Sequence, residues 1–239
     1  MKKNKIKVLI FDVFGTVVDW RSSIVNGLKE LLPIDMKDDE LESFAIEWRK
    51  GYTEFISDFN KGLNDWMNVD DIHLKKLTEI LESKNILNLL DKNQISEINL
   101  LWHKLNPWKD TVEGLKLLKT NYSIGTLSNG NFSLLLNMSK HSNLMWDFIF
   151  SGDIFLAYKP NKFVYKHACK LLDLNPNEVA LVAAHENDLI AASKVGLKTA
   201  YVDRPLEYSN NISNKDIKKF DINAKNFIDL YEKLQLSTN

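Results

Sequence analysis

The sequence alternates between short apolar runs and longer segments whose apolar residues recur at helical spacing. Five apolar runs, each bounded by turn residues, predict strands over 7–12, 123–129, 148–152, 179–185 and 198–203. The longer segments predict helices over 112–119, 132–140, 162–172 and 187–196. Strands that alternate with helices form βαβ units, in which neighbouring strands are parallel. The sequence therefore predicts an α/β fold with a Rossmann-like parallel sheet as its core.

Residues 20–107 break this alternation. Four helix-like segments follow one another there without a convincing strand: "SIVNGLKELL", "ELESFAIEWRKGYTEFISDF", "DIHLKKLTEILE" and "KNQISEINLLWHKL". A helical block inserted after the first strand predicts a cap domain over the carboxyl edge of the sheet, and "NPWKD" (106–110) marks the return of the chain to the sheet. We expect a core domain from residues 1–19 and 108–239 and a helical cap domain from residues 20–107.

The charge balance limits the classes of partner. The chain has 239 residues, with 31 Lys and Arg against 32 Asp and Glu, so its net charge is −1. Proteins that bind nucleic acids usually present a basic face, and none is evident here. No run approaches the ~20 apolar residues of a membrane-spanning helix, and the apolar stretch 8–11 is too short for a signal peptide. We expect a cytoplasmic protein without nucleic-acid or membrane partners.

Polar residues stand at the ends of several predicted strands. Asp12 follows the first strand, Ser128 and Asn129 end the second, and His185 ends the fourth. In open α/β sheets, ligands bind outside the carboxyl ends of the strands, so these side chains are expected in one cleft. Each residue also has a simpler interpretation: Asp12, Ser128 and Asn129 as turn residues, and His185 as a histidine satisfied in the core.

Four motifs follow one another along the chain: "FDVFGTVVD" (11–19), "LSNGN" (127–131), "YKPNKFVY" (158–165) and "VAAHENDLIAA" (182–192). In this order they resemble the four motifs of the haloacid dehalogenase superfamily. With "EWRKGY" (47–52), the chain resembles more narrowly the type II, L-specific 2-haloacid dehalogenases, over about residues 6–206. The resemblance implies a hydrolase that converts short L-2-haloacids to 2-hydroxy acids through an aspartyl ester. It also implies the haloacid dehalogenase-like fold, a Rossmann-like core with an inserted helical cap.

Phe14 bears on which reaction of the superfamily is expected. The phosphatases of this superfamily place a second aspartate two residues after the nucleophile, and this acid protonates a leaving alkoxide. A halide leaves as a stable anion and needs no proton. The aromatic side chain of Phe14 removes the acid and supplies apolar surface to a substrate pocket. The alternative is that Phe14 is a core residue without a role in the reaction.

The resemblance implies a role for each motif residue. Asp12 is expected to form the ester, with Thr16, Lys159, His185 and Asp188 as candidates to position the water that hydrolyses it. Ser128 and the backbone N–H groups of Val13 and Phe14 are expected to bind the substrate carboxylate, Arg49 and Asn129 the halide, and Tyr165 belongs to the substrate-binding set. The ammonium of Lys159 would also lower the pKa of Asp12.

One motif departs from the family pattern. Ala183 and His185 stand where well-studied dehalogenases carry Ser and Asn. A neutral imidazole accepts a proton from water near pH 7, so His185 is expected to compensate for these water-holding groups.

Other interpretations stay open at this point. On residue type alone, Lys159 and Arg49 are equally well interpreted as solvated surface residues, and Tyr165 as a residue that packs in the core. No metal and no cofactor are expected, because the substrate is a monoanion and Lys159 already supplies positive charge. The alternative functions are a Mg²⁺-dependent phosphatase-type hydrolase and a non-catalytic binding protein on the same scaffold. Proteins of this family often form dimers, so a homodimer is a further expectation.

Overall fold

The computed structural model describes residues 6–208 and 220–236. The strands are β1 Val8–Phe11, β2 Val18–Asp19, β3 Asn106–Pro107, β4 Ser123–Leu127, β5 Phe148–Phe150, β6 Val179–Ala183, β7 Lys198–Val202 and β8 Ile222–Ala224. The helices are α1 Trp20–Leu31, α2 Asp38–Asn60, α3 Val69–Ser83, α4 Lys92–Asn99, α5 Thr111–Lys119, α6 Phe132–His141, α7 Gly152–Phe155, α8 Lys162–Leu171, α9 Glu186–Ser193 and α10 Phe227–Leu236.

Six strands form one parallel sheet in the order β5-β4-β1-β6-β7-β8. This confirms the predicted α/β fold and its five main strands. The predicted strands run one or two residues further than the observed ones, because the chain leaves the ladder at the carboxyl edge. There it forms the loops that carry Asp12, Ser128 and His185.

The segment from Trp20 to His103 contains helices and no strand among its residues, all of which are described. Its helices begin at side chains that satisfy the first backbone N–H groups. Asp19 accepts from Ser22 N ahead of α1, Asn68 from Asp71 N ahead of α3, and Asp91 from the first turn of α4. We call Trp20–His103 the helical segment; its status as a separate cap domain stays a prediction.

The chain enters and leaves the helical segment at one place. β2 and β3 pair antiparallel, with Val18 opposite Pro107 and Asp19 opposite Asn106. The start of "NPWKD" thus lies beside β2, so the two connections run side by side.

Alternate residues of β1 enter two different apolar clusters. Leu9 and Phe11 pack in a cluster that continues into the helical segment and includes Trp48 and Trp102. Val8 and Ile10 pack on the opposite face against residues of α8 and α9. The sheet is thus covered on both faces, and its carboxyl edge is left to form a site.

Residues 220–236 hold two elements that were not predicted, β8 and α10. The strand β8 is a short, partly exposed edge strand without an apolar run. In α10 the buried residues Phe227, Leu230 and Leu234 do have helical spacing, so that signal was present in the sequence. Within residues 6–208 and 220–236, no helix combines the length and apolarity that a membrane span requires.

Candidate active site

Asp12 lies buried immediately after β1, at the centre of the carboxyl edge of the sheet. Its Oδ1 accepts a hydrogen bond from Lys159 Nζ at 2.9 Å, and its Oδ2 accepts one from Thr16 Oγ1 at 2.7 Å. His185 Nδ1 lies 3.1 Å from the same Oδ2. Burial alone would raise the pKa of Asp12, but Lys159, His185 and Thr16 outweigh it and lower the pKa below its ordinary value. Asp12 is therefore a carboxylate at neutral pH.

The loop after Asp12 turns sharply at Gly15, whose φ is +83°. Thr16 on this loop bonds Asp12 and also accepts a hydrogen bond from Ala184 N, which follows β6, at 2.9 Å. The nucleophile loop and the end of β6 are thereby held together through one hydroxyl.

Lys159 is a buried cation between two carboxylates. Its Nζ donates to Asp12 and to Asp188. Burial lowers the pKa of Lys159, but the two carboxylates dominate and raise it above its usual range. Tyr165 OH donates to Asp188 Oδ1 at 2.5 Å and so fixes the second carboxylate. A solvated surface lysine and a purely packing tyrosine are both excluded by these contacts.

Ser128 and Asn129 follow β4, beside Lys159. The Asn129 amide holds the Lys159 backbone, since Oδ1 accepts from Lys159 N at 2.7 Å and Nδ2 donates to Lys159 O at 3.3 Å. The same amide also makes a side-chain hydrogen bond to Tyr52. The buried Ser128 Oγ accepts from Gly130 N at 3.2 Å, which leaves its own hydroxyl hydrogen for a ligand.

Arg49, on α2, lies inside a set of four aromatic rings that we call the aromatic box. The distances from Arg49 Cζ to the ring centroids are 5.1 Å for Phe14, 5.6 Å for Trp20, 4.7 Å for Tyr52 and 6.0 Å for Trp102. Its Nε and Nη1 are buried and have no hydrogen-bond partner among the described residues. Buried N–H groups of a cation are nearly always paired, so this pair is suited to an anion. Arg49 is not the solvated arginine of the simpler interpretation.

His185 lies between two carboxylates, of which only Asp12 was anticipated. Its Nε2 is 3.1 Å from Glu207 Oε1 and 3.0 Å from Glu207 Oε2. Burial lowers the pKa of His185, but the hydrogen bonds and charges of Asp12 and Glu207 outweigh it and raise the pKa to about 10. The neutral imidazole expected from the sequence is therefore not the form present at neutral pH in the unliganded site. His185 is an imidazolium there.

A family model for haloacid dehalogenase-like hydrolases matches residues 6–196. The chain belongs to this family. The match spans β1 and all four motifs, so it covers Asp12, Lys159 and Asp188 together.

Two curated relatives that match over most of the chain are (S)-2-haloacid dehalogenases. The chain is 30% identical over 211 residues to (S)-2-haloacid dehalogenase 1 of Pseudomonas sp. (strain CBS-3), with 85% of this chain and 88% of the relative covered. It is 28% identical over 215 residues to (S)-2-haloacid dehalogenase 4A of Burkholderia cepacia, with 86% and 87% covered.

Solved structures of the family match over nearly the whole chain. The defluorinating L-2-haloacid dehalogenase Rha0230 superposes with a TM-score of 0.90 at 35% identity, covering 96% of this chain and 95% of that one. The L-2-haloacid dehalogenase PA0810 superposes with a TM-score of 0.87 at 37% identity, covering 96% and 99%.

In this haloacid dehalogenase-like hydrolase, one hydrogen-bonded cluster unites six of the predicted site residues. We call it the sheet-edge network; it consists of Asp12, Thr16, Lys159, Tyr165, His185 and Asp188, with Glu207 added by the structure. Val13 and Phe14 are buried in the loop after Asp12. Phe14 joins the network to the aromatic box, because its ring lies under Arg49 and against Gly130 of the Ser128 loop.

Glu207 and three rings of the aromatic box were not predicted. Glu207 follows β7 outside any helix or strand, one residue beyond the stretch that resembles the family motifs. Trp20, Tyr52 and Trp102 come from three separate elements of the helical segment. Trp20 and Trp102 lie outside the quoted motifs, and the packing of the helices sets their neighbours. Tyr52 does have a signal in the sequence, since it ends "EWRKGY" and stands three residues after Arg49 on α2.

Proposed function

We propose that this enzyme hydrolyses short L-2-haloacids to 2-hydroxy acids through an ester on Asp12. The observation that carries the proposal is the position of Phe14. Where a phosphatase would need an acid, this side chain lies 5.1 Å from Arg49 Cζ and forms part of a cationic, apolar pocket. Such a pocket suits a halide that leaves without a proton.

The first step is a displacement at carbon. A carboxylate oxygen of Asp12 attacks C2 of the haloacid as the carbon–halogen bond breaks, and the halide leaves with the bonding electrons. Attack from the side opposite the halogen inverts C2. Arg49 Nε and Nη1, which lack partners among the described residues, receive the halide beside the amide of Asn129. The hydroxyl of Ser128 and the N–H groups of Val13 and Phe14 hold the substrate carboxylate.

The second step is hydrolysis of the ester. Water attacks the carboxyl carbon of Asp12, which releases the 2-hydroxy acid and restores the carboxylate. Thr16, Lys159, His185 and Asp188 all lie in the sheet-edge network around that carbon and are the residues that position the water. Tyr165 acts through Asp188, to which it donates its hydroxyl hydrogen.

The rival phosphatase chemistry has less support in this site. A phosphatase of this superfamily needs an acid two residues after the nucleophile, whereas Phe14 stands there and packs against Arg49. The cations beside Asp12 already balance its charge. A non-catalytic binding protein would not need an ionised Asp12 with its supporting residues. A homodimer and a cytoplasmic location are further proposals that rest on the family resemblance.

Halide release decides the proposal. Purified protein is offered L-2-chloropropionate, D-2-chloropropionate and chloroacetate, each with and without EDTA, and chloride is measured. We expect chloride from the L isomer and from chloroacetate, none from the D isomer, and no effect of EDTA. Release from none of the three would refute the proposed function, and loss of activity in EDTA would favour the metal-dependent alternative.

A further inference from the structure

Both ring nitrogens of His185 face carboxylates in the unliganded enzyme. Nδ1 is 3.1 Å from Asp12 Oδ2, and Nε2 is 3.0 Å from Glu207 Oε2. A neutral imidazole carries one hydrogen and could satisfy only one of these acceptors. The ring that donates a hydrogen bond from each nitrogen is therefore an imidazolium. An imidazolium is an acid and cannot remove a proton from water. A base for ester hydrolysis has to arise later in the cycle.

Glu207 is held in place by contacts that do not involve His185. Its carboxylate is buried and accepts from Trp20 Nε1 at 3.1 Å, and its backbone oxygen accepts from Arg21 Nε at 3.1 Å. It also lies directly against the nucleophile loop, because a Cβ added to Gly15 would come within 2.1 Å of Glu207 Oε1. The glycine thus gives this carboxylate room beside the loop that carries Asp12.

Resting on the proposed function, we propose that alkylation of Asp12 converts His185 from an acid into the general base of ester hydrolysis, and that Glu207 is the positioning residue for this change. Ester formation removes the negative charge of Asp12, so His185 loses one of its two carboxylate partners. Glu207 retains the hydrogen on Nε2, and this bond leaves Nδ1 as the nitrogen that faces the ester.

Protons and electrons balance over the two steps. After the halide has left, the imidazolium releases its Nδ1 proton to solvent. An attacking water then forms a bond to the Asp12 carboxyl carbon and gives one proton to Nδ1. The tetrahedral intermediate expels the alkoxide of the 2-hydroxy acid, which takes the remaining proton of the new carboxyl group. Asp12 is again a carboxylate and His185 again an imidazolium, with one proton released per turnover.

A cavity of about 460 Å³ on the far side of His185 offers a route for that proton and for water. His185 and Glu207 line it together with the titratable side chains Glu186, Tyr201, Asp203, Arg204 and Tyr208. On the side of the nucleophile, His185 faces Asp12 and, through Asp12, the ammonium of Lys159. Alkylation removes the charge of Asp12, which faces Nδ1 of His185, and leaves the charge of Glu207 unchanged. Glu207 therefore keeps its hydrogen bond to Nε2 in both steps.

The decisive variant is Glu207→Gln, which keeps the shape and an acceptor for Trp20 but removes the charge. Rapid-quench measurements with L-2-chloropropionate follow chloride, and mass spectrometry follows the ester on Asp12. We expect a burst of one chloride per site at the wild-type rate, accumulation of the ester, and a steady-state rate lower by about 100-fold. An equal slowing of burst and steady state, or no change in either, would overturn the proposal.

Asp203→Asn is the matched control. Asp203 lines the same cavity, but its carboxylate accepts from Tyr201 OH at 3.2 Å and has no hydrogen bond to His185 among the described residues. Removing its charge should leave both the burst and the decay of the ester unchanged. Accumulation of ester in this variant as well would show that the general charge of the cavity, and not Glu207, controls the step.

A measurement without substrate separates this inference from the proposed function. The pKa of His185 is followed by ¹⁵N NMR in the wild type, in Glu207→Gln and in Asp12→Asn, which mimics the uncharged ester. Each variant should lower the His185 pKa by about 1–3 units. An unchanged pKa in Asp12→Asn would refute the acid-to-base change. If the pKa moves as expected while no haloacid yields halide, the charge coupling holds and the proposed function fails.

Discussion

The sheet-edge network and the aromatic box differ in how their charged groups are satisfied. In the sheet-edge network, both carboxylate oxygens of Asp12 accept hydrogen bonds, Lys159 Nζ donates to two carboxylates, and both ring nitrogens of His185 face carboxylates. In the aromatic box, Arg49 is surrounded by rings, and two of its nitrogens have no hydrogen-bond partner among the described residues. A bonded network holds charges in fixed positions, whereas a buried, unpaired guanidinium is costly until an anion arrives. Under the proposed function, Asp12 is held in place as the nucleophile before the substrate binds, and the halide completes the hydrogen bonding of Arg49.

The largest loss of halide release is expected for a substitution of Asp12, the central residue of the sheet-edge network. Asp12→Asn removes the nucleophile but keeps the size of the side chain, so halide release should fall by on the order of 10⁴-fold or more. The check is chloride release together with mass spectrometry, which should find no ester on residue 12. Undiminished chloride release would mean that the network does not supply the nucleophile.

A smaller effect is expected in the aromatic box. Arg49→Met keeps an unbranched, largely apolar side chain but removes the donors to the leaving halide, so the chloride burst should slow by about 10²- to 10³-fold. The control is Lys50→Met, since Lys50 is the next residue of α2 and its exposed ammonium pairs only with Glu54 among the described residues. That variant should keep the wild-type burst rate. An equal loss of burst rate in Arg49→Met and Lys50→Met would show that Arg49 in the aromatic box contributes no more than a surface cation.

The periphery of the network should matter less than its centre. Tyr165→Phe deletes the hydroxyl that donates to Asp188 at 2.5 Å while the ring remains packed. Since a hydrogen bond to a charged group contributes about 1.5–3 kcal/mol net, turnover should fall by about 10- to 100-fold. Steady-state kinetics measure the effect. A loss as large as that of Asp12→Asn would show that Tyr165 takes part directly in the reaction.

The last prediction concerns the free energy of unfolding, and not turnover, and how it depends on pH. Because the folded state raises the pKa of His185 from 6.5 to about 10, the folded protein binds more protons than the unfolded chain between these values. The stabilisation is complete below pH 6.5 and is lost as the pH rises towards 10. Urea unfolding of the wild type from pH 6 to 9 should therefore show decreasing stability, and His185→Gln should show a shallower slope.

Arg49→Met serves as the comparison in that series, because a guanidinium does not titrate over this range. It should retain the wild-type slope even if its stability differs at every pH. If the free energy of unfolding changed with pH at the same slope in the wild type and in His185→Gln, His185 would not be an imidazolium held by two carboxylates.

Sequence reasoning located the sheet-edge network better than the aromatic box, and the reason is physical. Asp12 stands at the end of β1, and Lys159 and Asp188 belong to ordered motifs whose segments meet it at the carboxyl edge of the sheet. Trp20 and Trp102 come close because α1 and the turn after α4 pack on each other, with their rings stacked at 6.2 Å. Such tertiary packing has no periodic signature. Arg49 was identified only through the family resemblance.

Glu207 illustrates the same limit within the network. It contacts Trp20 across 187 positions of the chain, from a segment with no regular structure. A carboxylate in "RPLEY" reads as a solvated turn residue until the fold places it against Gly15 and His185. Its presence also altered the chemistry assigned to His185, because the second carboxylate makes the resting ring a cation.

The antiparallel pairing of β2 with β3 has a consequence for how such enzymes diversify. Residues opposite each other in an antiparallel pair stand about 5 Å apart, so Asp19 and Asn106 form a narrow joint through which both connections pass. Any polypeptide unit whose two termini lie that close could be grafted at this joint without altering the register of the six parallel strands. Evolution could therefore replace the helical segment, which carries Arg49, while the sheet-edge network around Asp12 stays unchanged.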